Sequence, residues 1–346
     1  MKLGTWLLVA AGVLMANAAE AAPKWALAIH GGAGVIDRNA LSPEQEKAYR
    51  EAMARAAEAG ARVLRAGGSS LDAVEAAVVE LEDDPLFNAG RGAVFTAEGK
   101  NELDAAVMEG RDLKAGAVAG VTRTRNPIRL AREVMQSSPH VMLIGPGAEE
   151  FARSRGLPEV DPAYFYTSQR WRALERELAR QNLPVPAKPP GAREDDRAAA
   201  LAHDEGKRGT VGAVAVDIRG DVAAATSTGG TTAKRWGRVG DAPIIGAGTY
   251  ADNASCAVSA TGTGEYFIRL TVAREVCALV EHNGLSLQAA ADEVIQHKLT
   301  KIGGDGGVIA VSPAGEVAWS FNTSGMYRAS IADGRPLVVG VYKDDP

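Results

Sequence analysis

The sequence predicts an α+β fold in which packed β-sheets are covered on the outside by layers of helices. Two observations predict this class. Helical patterns dominate the first half of the chain, whereas strand patterns interrupted by two helical segments dominate the second half. Because sheet faces and helix stripes must both bury their apolar side chains, this order favours sheets packed together beneath helices. The chain has 346 residues and 46% hydrophobic content, which suffices for one large domain or two ordinary ones.

The first half predicts one strand and then mainly helices. An apolar strand over residues 25–29 should end in a tight turn at the glycines of residues 30–34. Pro43 opens an amphipathic helix to about residue 65, and Ser69 and Ser70 cap a second helix. A loop over residues 83–92 follows. Beyond it we expect strands over residues 93–95 and 115–121, and helices over residues 127–136, 147–155 and 170–180.

The second half begins after a segment rich in proline and charge, residues 184–207, which predicts an exposed linker ending beside Gly209. Strand patterns follow it directly. We expect one hairpin over residues 210–216 and 222–228, and another over residues 308–311 and 317–321. Between the hairpins we expect helices over residues 264–281 and 286–299, and after them a last strand over residues 337–341.

The charge and the N-terminal residues restrict the partners. A formal net charge of -5 gives no basic surface for nucleic acid. Lys2, an apolar run over residues 3–15 and the small residues after it are typical of a secretory signal peptide, here residues 1–21. A membrane anchor is the alternative, but the apolar run is shorter than the ~20 residues that span a bilayer. We therefore expect an exported protein, periplasmic or secreted, with no membrane association after signal removal.

Two cysteines, Cys256 and Cys277, are too few for a scaffold held together by disulfides. One falls in an apparent strand and the other in an apparent helix. The expectation is two buried thiols. A bridge between them stays open as an alternative, because the sequence does not show that their Cα atoms come within reach of each other.

The pair Gly209-Thr210 is the most informative feature for function. A threonine hydroxyl is a poor nucleophile unless a base lies beside it, and the nearest base is its own α-amine, which exists only if the Gly209-Thr210 bond is cut. A threonine at the start of a strand is also what β-propensity alone would place there. Glycine-rich segments over residues 226–230, 237–241 and 260–265, which carry groups suited to acyl transfer, favour the catalytic interpretation.

Six ordered segments, residues 30–34, 85–92, 209–216, 226–230, 237–241 and 261–265, carry a family resemblance. The chain resembles the plant-type L-asparaginase and isoaspartyl peptidase family of N-terminal nucleophile hydrolases, related to glycosylasparaginases. The resemblance implies a four-layer αββα sandwich. It also implies self-cleavage into an α subunit, residues 22–209, and a β subunit, residues 210–346, which together form one folded domain and pair as an (αβ)2 heterotetramer.

The resemblance implies a small-molecule substrate. It would be a β-aspartyl dipeptide or L-asparagine, hydrolysed at the side-chain amide. Two alternatives remain open: a glycosylasparaginase acting on glycosylated asparagine, and a noncatalytic binding protein of the same fold.

The same resemblance assigns roles to individual residues. Thr210 would be the nucleophile and, through its α-amine, the base, with Thr228 orienting it. Thr261 and Gly262 would form the oxyanion hole, and Arg238 and Asp241 would hold the substrate α-carboxylate and α-ammonium. Further substrate contacts would come from Asn88, Val239, Gly240, Thr263 and Gly264.

No catalytic cofactor is expected, but the resemblance implies a structural sodium ion. Carbonyl oxygens suit such a hard cation. The ligands would be the main-chain carbonyls of Leu81, Glu82, Asp84, Phe87, Ala89 and Arg91. An ordinary loop between helix and strand is the alternative. Residues 231–236 depart from the commoner family pattern, which leaves the preference for the leaving group open.

Overall fold

Two β-sheets face each other at the centre of the molecule. A computed structural model describes residues 24–36, 38–39, 41–194 and 209–345. The predicted signal peptide and most of the predicted linker lie outside the described residues. The strands are β1 (Ala26–Gly34), β2 (Leu103–Glu109), β3 (Ala115–Val121), β4 (Met142–Ile144), β5 (Val211–Val216), β6 (Val222–Thr228), β7 (Thr249–Ala251), β8 (Ala257–Gly262), β9 (Gly306–Val311), β10 (Val317–Phe321), β11 (Gly325–Ala332) and β12 (Val338–Tyr342).

The two sheets differ in size. In the described part of the chain the larger sheet has the strand order β12-β11-β1-β5-β6-β2-β3-β4, and the smaller has the order β10-β9-β8-β7. Neighbouring strands are antiparallel except β3 and β4. Apolar side chains such as Ala28, Val214, Ala224 and Ile309 fill the space between the sheets.

Helices cover the outer face of each sheet. The helices are α1 (Pro43–Arg65), α2 (Ser70–Asp83), α3 (Pro127–Ser137), α4 (Gly145–Ser154), α5 (Ser168–Arg180), α6 (Gly264–Leu270), α7 (Val272–Asn283) and α8 (Leu287–Asp292). Helices α1, α2 and α3 pack on the larger sheet, and α7 and α8 pack on the smaller one. This is the expected four-layer αββα sandwich.

Capping residues explain why the early helices were predictable. Ser42 forms a capping box with Gln45 in front of Pro43, and the Ser69 hydroxyl accepts from the Asp72 amide. Both helices therefore begin where the sequence predicts. Strand β3, the hairpin β5–β6 and the hairpin β9–β10 also lie at the predicted places.

Three predicted elements differ from the structure, two in extent and one in helix type. The first strand does not turn at residues 30–34. It continues to Gly34 through a bulge between His30 and Gly32, because β11 pairs with it along its whole length. The predicted helix over residues 264–281 breaks at Thr271, whose φ of 47° is left-handed. The predicted helix over residues 286–299 ends as a π-helical segment, Glu293–Leu299.

The predicted strand over residues 93–95 is absent from the described structure. Side chains take up the backbone groups that a sheet partner would use. The Asn88 carboxamide accepts from the Val94 amide, and the Asn101 carboxamide donates to the carbonyls of Ala93 and Val94. The segment is thus an extended loop held by two buried asparagines.

Cys256 and Cys277 form a disulfide, which corrects the expectation of two free thiols. Cys256 lies immediately before β8, and Cys277 lies in the middle of α7, which packs directly on β8. That packing brings the two Cα atoms to 5.4 Å, a normal separation for a bridge. The two cysteines are fully buried, as expected.

Within the described residues, each helix is too short or too polar to cross a membrane.

Candidate active site

The peptide bond between Gly209 and Thr210 lies buried immediately before β5. Thr210 immediately precedes β5, and only 7% of its surface is exposed. The Gly209 carbonyl oxygen accepts from Asn88 Nδ2 at 2.7 Å and from Thr228 Oγ1 at 3.2 Å. Gly209 has a φ of 148°, which L side chains rarely adopt. A glycine is therefore required here, and its carbonyl is polarised by two donors.

Thr228 links the nucleophile candidate to that carbonyl. Thr210 Oγ1 donates to Thr228 Oγ1 at 3.1 Å, and the Thr228 hydroxyl in turn donates to the Gly209 oxygen. The Gly230 amide also donates to Thr228 Oγ1, at 3.0 Å. Since a hydroxyl has one proton and two acceptor sites, these contacts saturate Thr228 and fix the direction of each hydrogen bond.

A buried network supports Thr210 from behind. The ring of His30 contacts the Thr210 carbonyl through Nδ1 and Ser259 Oγ through Nε2, both at 2.9 Å. Because a carbonyl can only accept, Nδ1 carries the proton and Nε2 accepts from Ser259. The Ser259 hydroxyl is hydrogen-bonded at 2.7 Å to the Thr226 hydroxyl, which also accepts a hydrogen bond from Thr249. Burial lowers the His30 pKa to about 3 and keeps the ring neutral.

Arg238 and Asp241 lie on either side of a floor made of glycines. A Cβ atom at Gly264 would lie 2.9 Å from both Arg238 Nη2 and Asp241 Oδ1. A Cβ atom at Gly240 would lie 2.8 Å from Arg238 Nη1. The two charged side chains thus face a common space that any larger residue would fill.

Asp241 is a buried carboxyl group with one oxygen atom left unpartnered by the part of the chain that the structure describes. It is 4% exposed, and its Oδ2 atom has no hydrogen-bond partner among the described residues. Burial raises the Asp241 pKa to about 7, and the nearby carboxylates of Glu265 and Asp104 add to that rise while Arg238 opposes it. An ammonium group placed against Oδ2 would supply the missing partner.

A second buried cation lies near Arg238. The ammonium of Lys234 donates to the Glu102 carbonyl at 2.8 Å and lies 3.8 Å from Asp104 Oδ2. Asp104 pairs with Thr228 in the register of β2 and β6. Burial raises the Asp104 pKa, and Lys234 opposes this rise. Lys234 and Asp104 thus form a buried pair of opposite charges next to Thr228.

The proposed oxyanion residues belong to the smaller sheet. Thr261, in β8, is fully buried and accepts from the Ala33 amide at 3.4 Å. Ala33 follows the bulge of β1, the strand that pairs with β5 behind Thr210. Thr263 donates to Asp305 through its hydroxyl and its amide. Gly262 and Gly264 flank Thr263, and Val239, between Arg238 and Gly240, is half-buried.

Known proteins resemble this chain over most of its length. The family model described as Asparaginase matches residues 23–339. This chain belongs to the asparaginase family. An isoaspartyl peptidase of Escherichia coli is 51% identical over 93% of this chain and 97% of its own. A probable isoaspartyl peptidase/L-asparaginase 2 of Arabidopsis thaliana is 43% identical over 92% of this chain and 99% of its own. The human isoaspartyl peptidase/L-asparaginase is 42% identical over 91% of this chain and 95% of its own.

The loop after α2 fits the monovalent cation that the asparaginase family implies. Two glycines let it coil unusually tightly. A Cβ atom at Gly90 would lie 2.3 Å from the Glu82 carbonyl oxygen, and one at Gly92 would lie 2.1 Å from that of Phe87. Two further expected ligands, the carbonyls of Asp84 and Ala89, accept from amides of the same loop. The donor set is main-chain carbonyl oxygen, which suits a hard cation.

The segment that departs from the common asparaginase-family pattern divides into a buried and an exposed part. Lys234 is buried, whereas Trp236 is 90% exposed and has a left-handed φ of 59°. Arg235 lies over the Trp236 ring at 4.5 Å. Both residues precede Arg238 within one short loop.

Several residues of the site were not singled out from the sequence. For Thr226 the one sequence signal is the alternation of a strand, which places Thr226 and Thr228 on the same face of β6. His30 and Glu265 stand in two of the segments that carry the resemblance, but spacing alone does not show what they contact. The additional residues are His30, Asp104, Thr226, Lys234, Thr249, Ser259 and Glu265.

Proposed function

We propose that this chain hydrolyses β-aspartyl peptide bonds and the side-chain amide of L-asparagine, with Thr210 as a nucleophile that the protein exposes by cutting itself. One observation carries the proposal. The Thr210 hydroxyl donates to Thr228, whose own proton lies on the carbonyl of the bond to be cut. The activities for which the relatives are named, isoaspartyl peptidase and L-asparaginase, support the same proposal.

Self-cleavage begins with attack of Thr210 Oγ1 on the Gly209 carbonyl carbon. The hydroxyl proton passes to Thr228, and the Thr228 proton passes to the carbonyl oxygen, so charge stays balanced. Asn88 donates to the same oxygen and stabilises the tetrahedral intermediate. The proton on that oxygen then passes to the leaving nitrogen as the C–N bond breaks, which leaves an ester on Thr210 and a free amine. Water then hydrolyses the ester and releases the Gly209 carboxylate.

Substrate hydrolysis then uses the new α-amine as the base. Its ordinary pKa of about 7.7 to 8.0 leaves a useful fraction neutral at ambient pH. The amine takes the Thr210 hydroxyl proton as the oxygen attacks the β-carbonyl of the aspartyl group, and it returns a proton to the leaving amine. Thr261 and the Gly262 amide would stabilise the oxyanion. Water cleaves the β-aspartyl ester and completes the cycle.

Recognition of the aspartyl group rests on the pair Arg238 and Asp241. Arg238 would bind the α-carboxylate, and Asp241 would bind the α-ammonium through its unpartnered Oδ2. A substrate must therefore carry both free groups, with the scissile bond on its side chain. Asn88, Val239, Gly240, Thr263 and Gly264 complete the proposed surface around them.

The experiment is a comparison of substrates on one preparation. We expect turnover of β-aspartyl-leucine and L-asparagine and little of N-acetylglucosaminyl-asparagine. Arg238→Ala should cut itself normally but bind aspartyl substrates about 100-fold more weakly, since a charge-assisted bidentate contact is lost. Turnover of the glycosylated substrate alone would instead identify a glycosylasparaginase.

We also propose that the loop carbonyls of Leu81, Glu82, Asp84, Phe87, Ala89 and Arg91 bind a structural sodium ion. The close carbonyl approach at Gly90 and Gly92 supports it. Dialysis into a sodium-free buffer with a bulky organic cation should lower the melting temperature, and added sodium should restore it. An unchanged melting temperature would contradict the site.

Export to the periplasm or medium is a further proposal, directed by residues 1–21. The disulfide between Cys256 and Cys277 supports it, because such bonds persist in oxidising compartments. N-terminal sequencing of protein from separated cell fractions tests it. Intact signal residues in cytoplasmic material would contradict it.

We propose the (αβ)2 heterotetramer on the family relationship alone. Sedimentation equilibrium of the purified protein gives its mass directly. A mass of one αβ unit would contradict the proposal.

A further inference from the structure

Arg238 is bonded to a carboxylate of the protein itself. Its Nε and Nη2 atoms donate to Glu265 Oε1 and Oε2 at 2.9 and 3.1 Å. Glu265 lies in the first turn of α6, and 56% of its side chain is exposed, against 18% for Arg238. A bidentate pair of this kind fixes the plane of a guanidinium group. The question is whether Glu265 occupies the substrate's place or prepares it.

The edge of the Arg238 guanidinium group to which Glu265 binds decides between these two roles. A guanidinium has two edges that can bind a carboxylate, Nε with one Nη and Nη1 with Nη2. Glu265 takes the Nε–Nη2 edge. Nη1 points instead toward the glycine floor, where Cβ atoms at Gly240 and Gly230 would lie 2.8 and 3.4 Å away. The Nη1–Nη2 edge therefore faces the space that Arg238 shares with Asp241.

The glycine floor connects that edge with the nucleophile. Gly230 donates its amide to Thr228, which accepts from Thr210. Gly264 lies between Arg238 Nη2 and Asp241 Oδ1. A carboxylate on the Nη1–Nη2 edge would thus lie beside this glycine floor, in the space that Arg238 shares with Asp241.

We propose that Glu265 is a positioning residue that holds Arg238 with its Nη1–Nη2 edge presented to the substrate α-carboxylate. This inference rests on the proposed aspartyl substrate and adds a determinant of its recognition. Glu265 does not touch the substrate. Its contribution is to order a flexible arginine before the ligand arrives, which reduces the entropy lost on binding.

Binding of L-aspartate by calorimetry tests the proposal without requiring turnover. Glu265→Ala should weaken aspartate binding about fivefold, the upper range for an exposed ion pair, and Glu265→Gln should recover part of the loss. L-isoasparagine, which has an amide in place of the α-carboxylate, should bind both proteins equally. Glu58→Ala, which removes an exposed carboxylate paired with Arg65 on α1, is the matched control and should change nothing.

A double-mutant cycle with Arg238→Ala decides the mechanism. In that background Glu265→Ala should have no further effect on aspartate binding. Tighter aspartate binding by Glu265→Ala would show that Glu265 competes with substrate, and an equal loss without Arg238 would show that it acts elsewhere. Unchanged binding would also overturn the proposal. Aspartate binding that depends on Glu265, in a protein that hydrolyses neither proposed substrate, would contradict only the proposed function.

Discussion

At the scale of single residues, the polarised carbonyl of Gly209 is the feature on which the proposed self-cleavage rests. Asn88 and Thr228 donate to it, and Thr210 donates to Thr228. The attacking oxygen, the path of its proton and the stabilising donors are therefore assembled before the bond breaks. Such preorganisation is the main source of rate acceleration in acyl transfer.

Loss of the Asn88 donor should slow self-cleavage. We expect Asn88→Ala to reduce the rate about 10²-fold to 10³-fold, the usual cost of one oxyanion donor. The appearance of two bands on a denaturing gel over time measures this rate. Asn101→Ala is the matched control, because Asn101 is an equally buried amide that holds the same loop without touching Gly209. Equal slowing in both variants would show that only loop folding matters.

Glycine at position 209 should also be required, because its φ is 148°. We expect Gly209→Ala to slow self-cleavage at least tenfold, since an L side chain strains this conformation at a cost of roughly 1–3 kcal/mol. The measure is again the time course on a gel. Gly191→Ala, at another positive φ of 80° where an added Cβ would meet only Ala163, should cleave like the wild type. Normal cleavage of the Gly209 variant would remove this explanation.

Asp241 predicts a pH dependence of ligand binding. Its pKa, raised to about 7 by burial, leaves part of the population protonated near neutrality, whereas an ammonium ligand needs the charged form. Below pH 7 the affinity for L-aspartate should therefore decrease with falling pH, with a limiting slope of ~tenfold per pH unit. Above pH 7 the affinity should level off. Asp241→Asn should bind weakly with no such slope. A wild-type affinity that is constant between pH 5.5 and 7 would contradict the assignment.

The same shift has a defined sign for stability. The folded pKa of Asp241 lies above its ordinary value of 3.8, so the folded state holds more protons between these values. The contribution of Asp241 to stability is therefore present at low pH and is lost as pH rises toward 7. A buried carboxylate kept at this cost is consistent with a role in binding.

At the scale of elements, the disulfide joins α7 to the beginning of β8. The bridge closes a loop across a sequence separation of 21 residues. We expect Cys256→Ala/Cys277→Ala to lose about 3 kcal/mol of unfolding free energy, as chain-entropy models give for loops of this size. Urea unfolding measures the loss. Wild type under reducing conditions is the control and should lose a similar amount; equal midpoints for all three samples would contradict a structural role.

The elements that were predictable from sequence carry strong local signals. Helices α1 and α2 begin at serine caps, and β5 and β6 are apolar runs around a polar turn. Strand β2, by contrast, was not predicted, because its alanines and its acidic ends lack β-propensity and only the sheet on both sides makes it a strand. The break at Thr271 likewise depends on tertiary packing.

The candidate site could be predicted only in part, for a related reason. Thr210, Arg238 and Asp241 stand in motifs that the resemblance identifies. Other contacts join residues that are far apart in the sequence, and such contacts produce no recognisable sequence pattern. Examples are the Glu265 carboxylate on Arg238 and the His30 ring on the Thr210 carbonyl. The sequence does not decide the disulfide for the same reason, since only the packing of α7 on β8 brings its cysteines together.

At the scale of the whole molecule, the proposed cut divides a sheet whose strands interleave. Strands β1, β2, β3 and β4 precede the cut, while β5, β6, β11 and β12 follow it, and β1 lies between β11 and β5 in the larger sheet. Separation of the fragments would break ladders on both sides of β1. Such a sheet cannot come apart without unfolding.

We therefore expect the two fragments to remain together after cleavage. They should coelute in size-exclusion chromatography and unfold in a single transition, separating only in denaturant. The uncut Thr210→Ala protein is the control for elution volume. Fragments that separate in native buffer would show that the strand order does not hold them.

The central claim is that the protein makes its own N-terminal threonine, and the direct measurement is N-terminal sequencing with intact mass of active, purified protein. We predict a fragment beginning Thr-Val-Gly-Ala at Thr210, and one uncut, inactive chain for Thr210→Ala. Active protein with an intact bond between Gly209 and Thr210, or a cut at this bond in Thr210→Ala, would contradict the account.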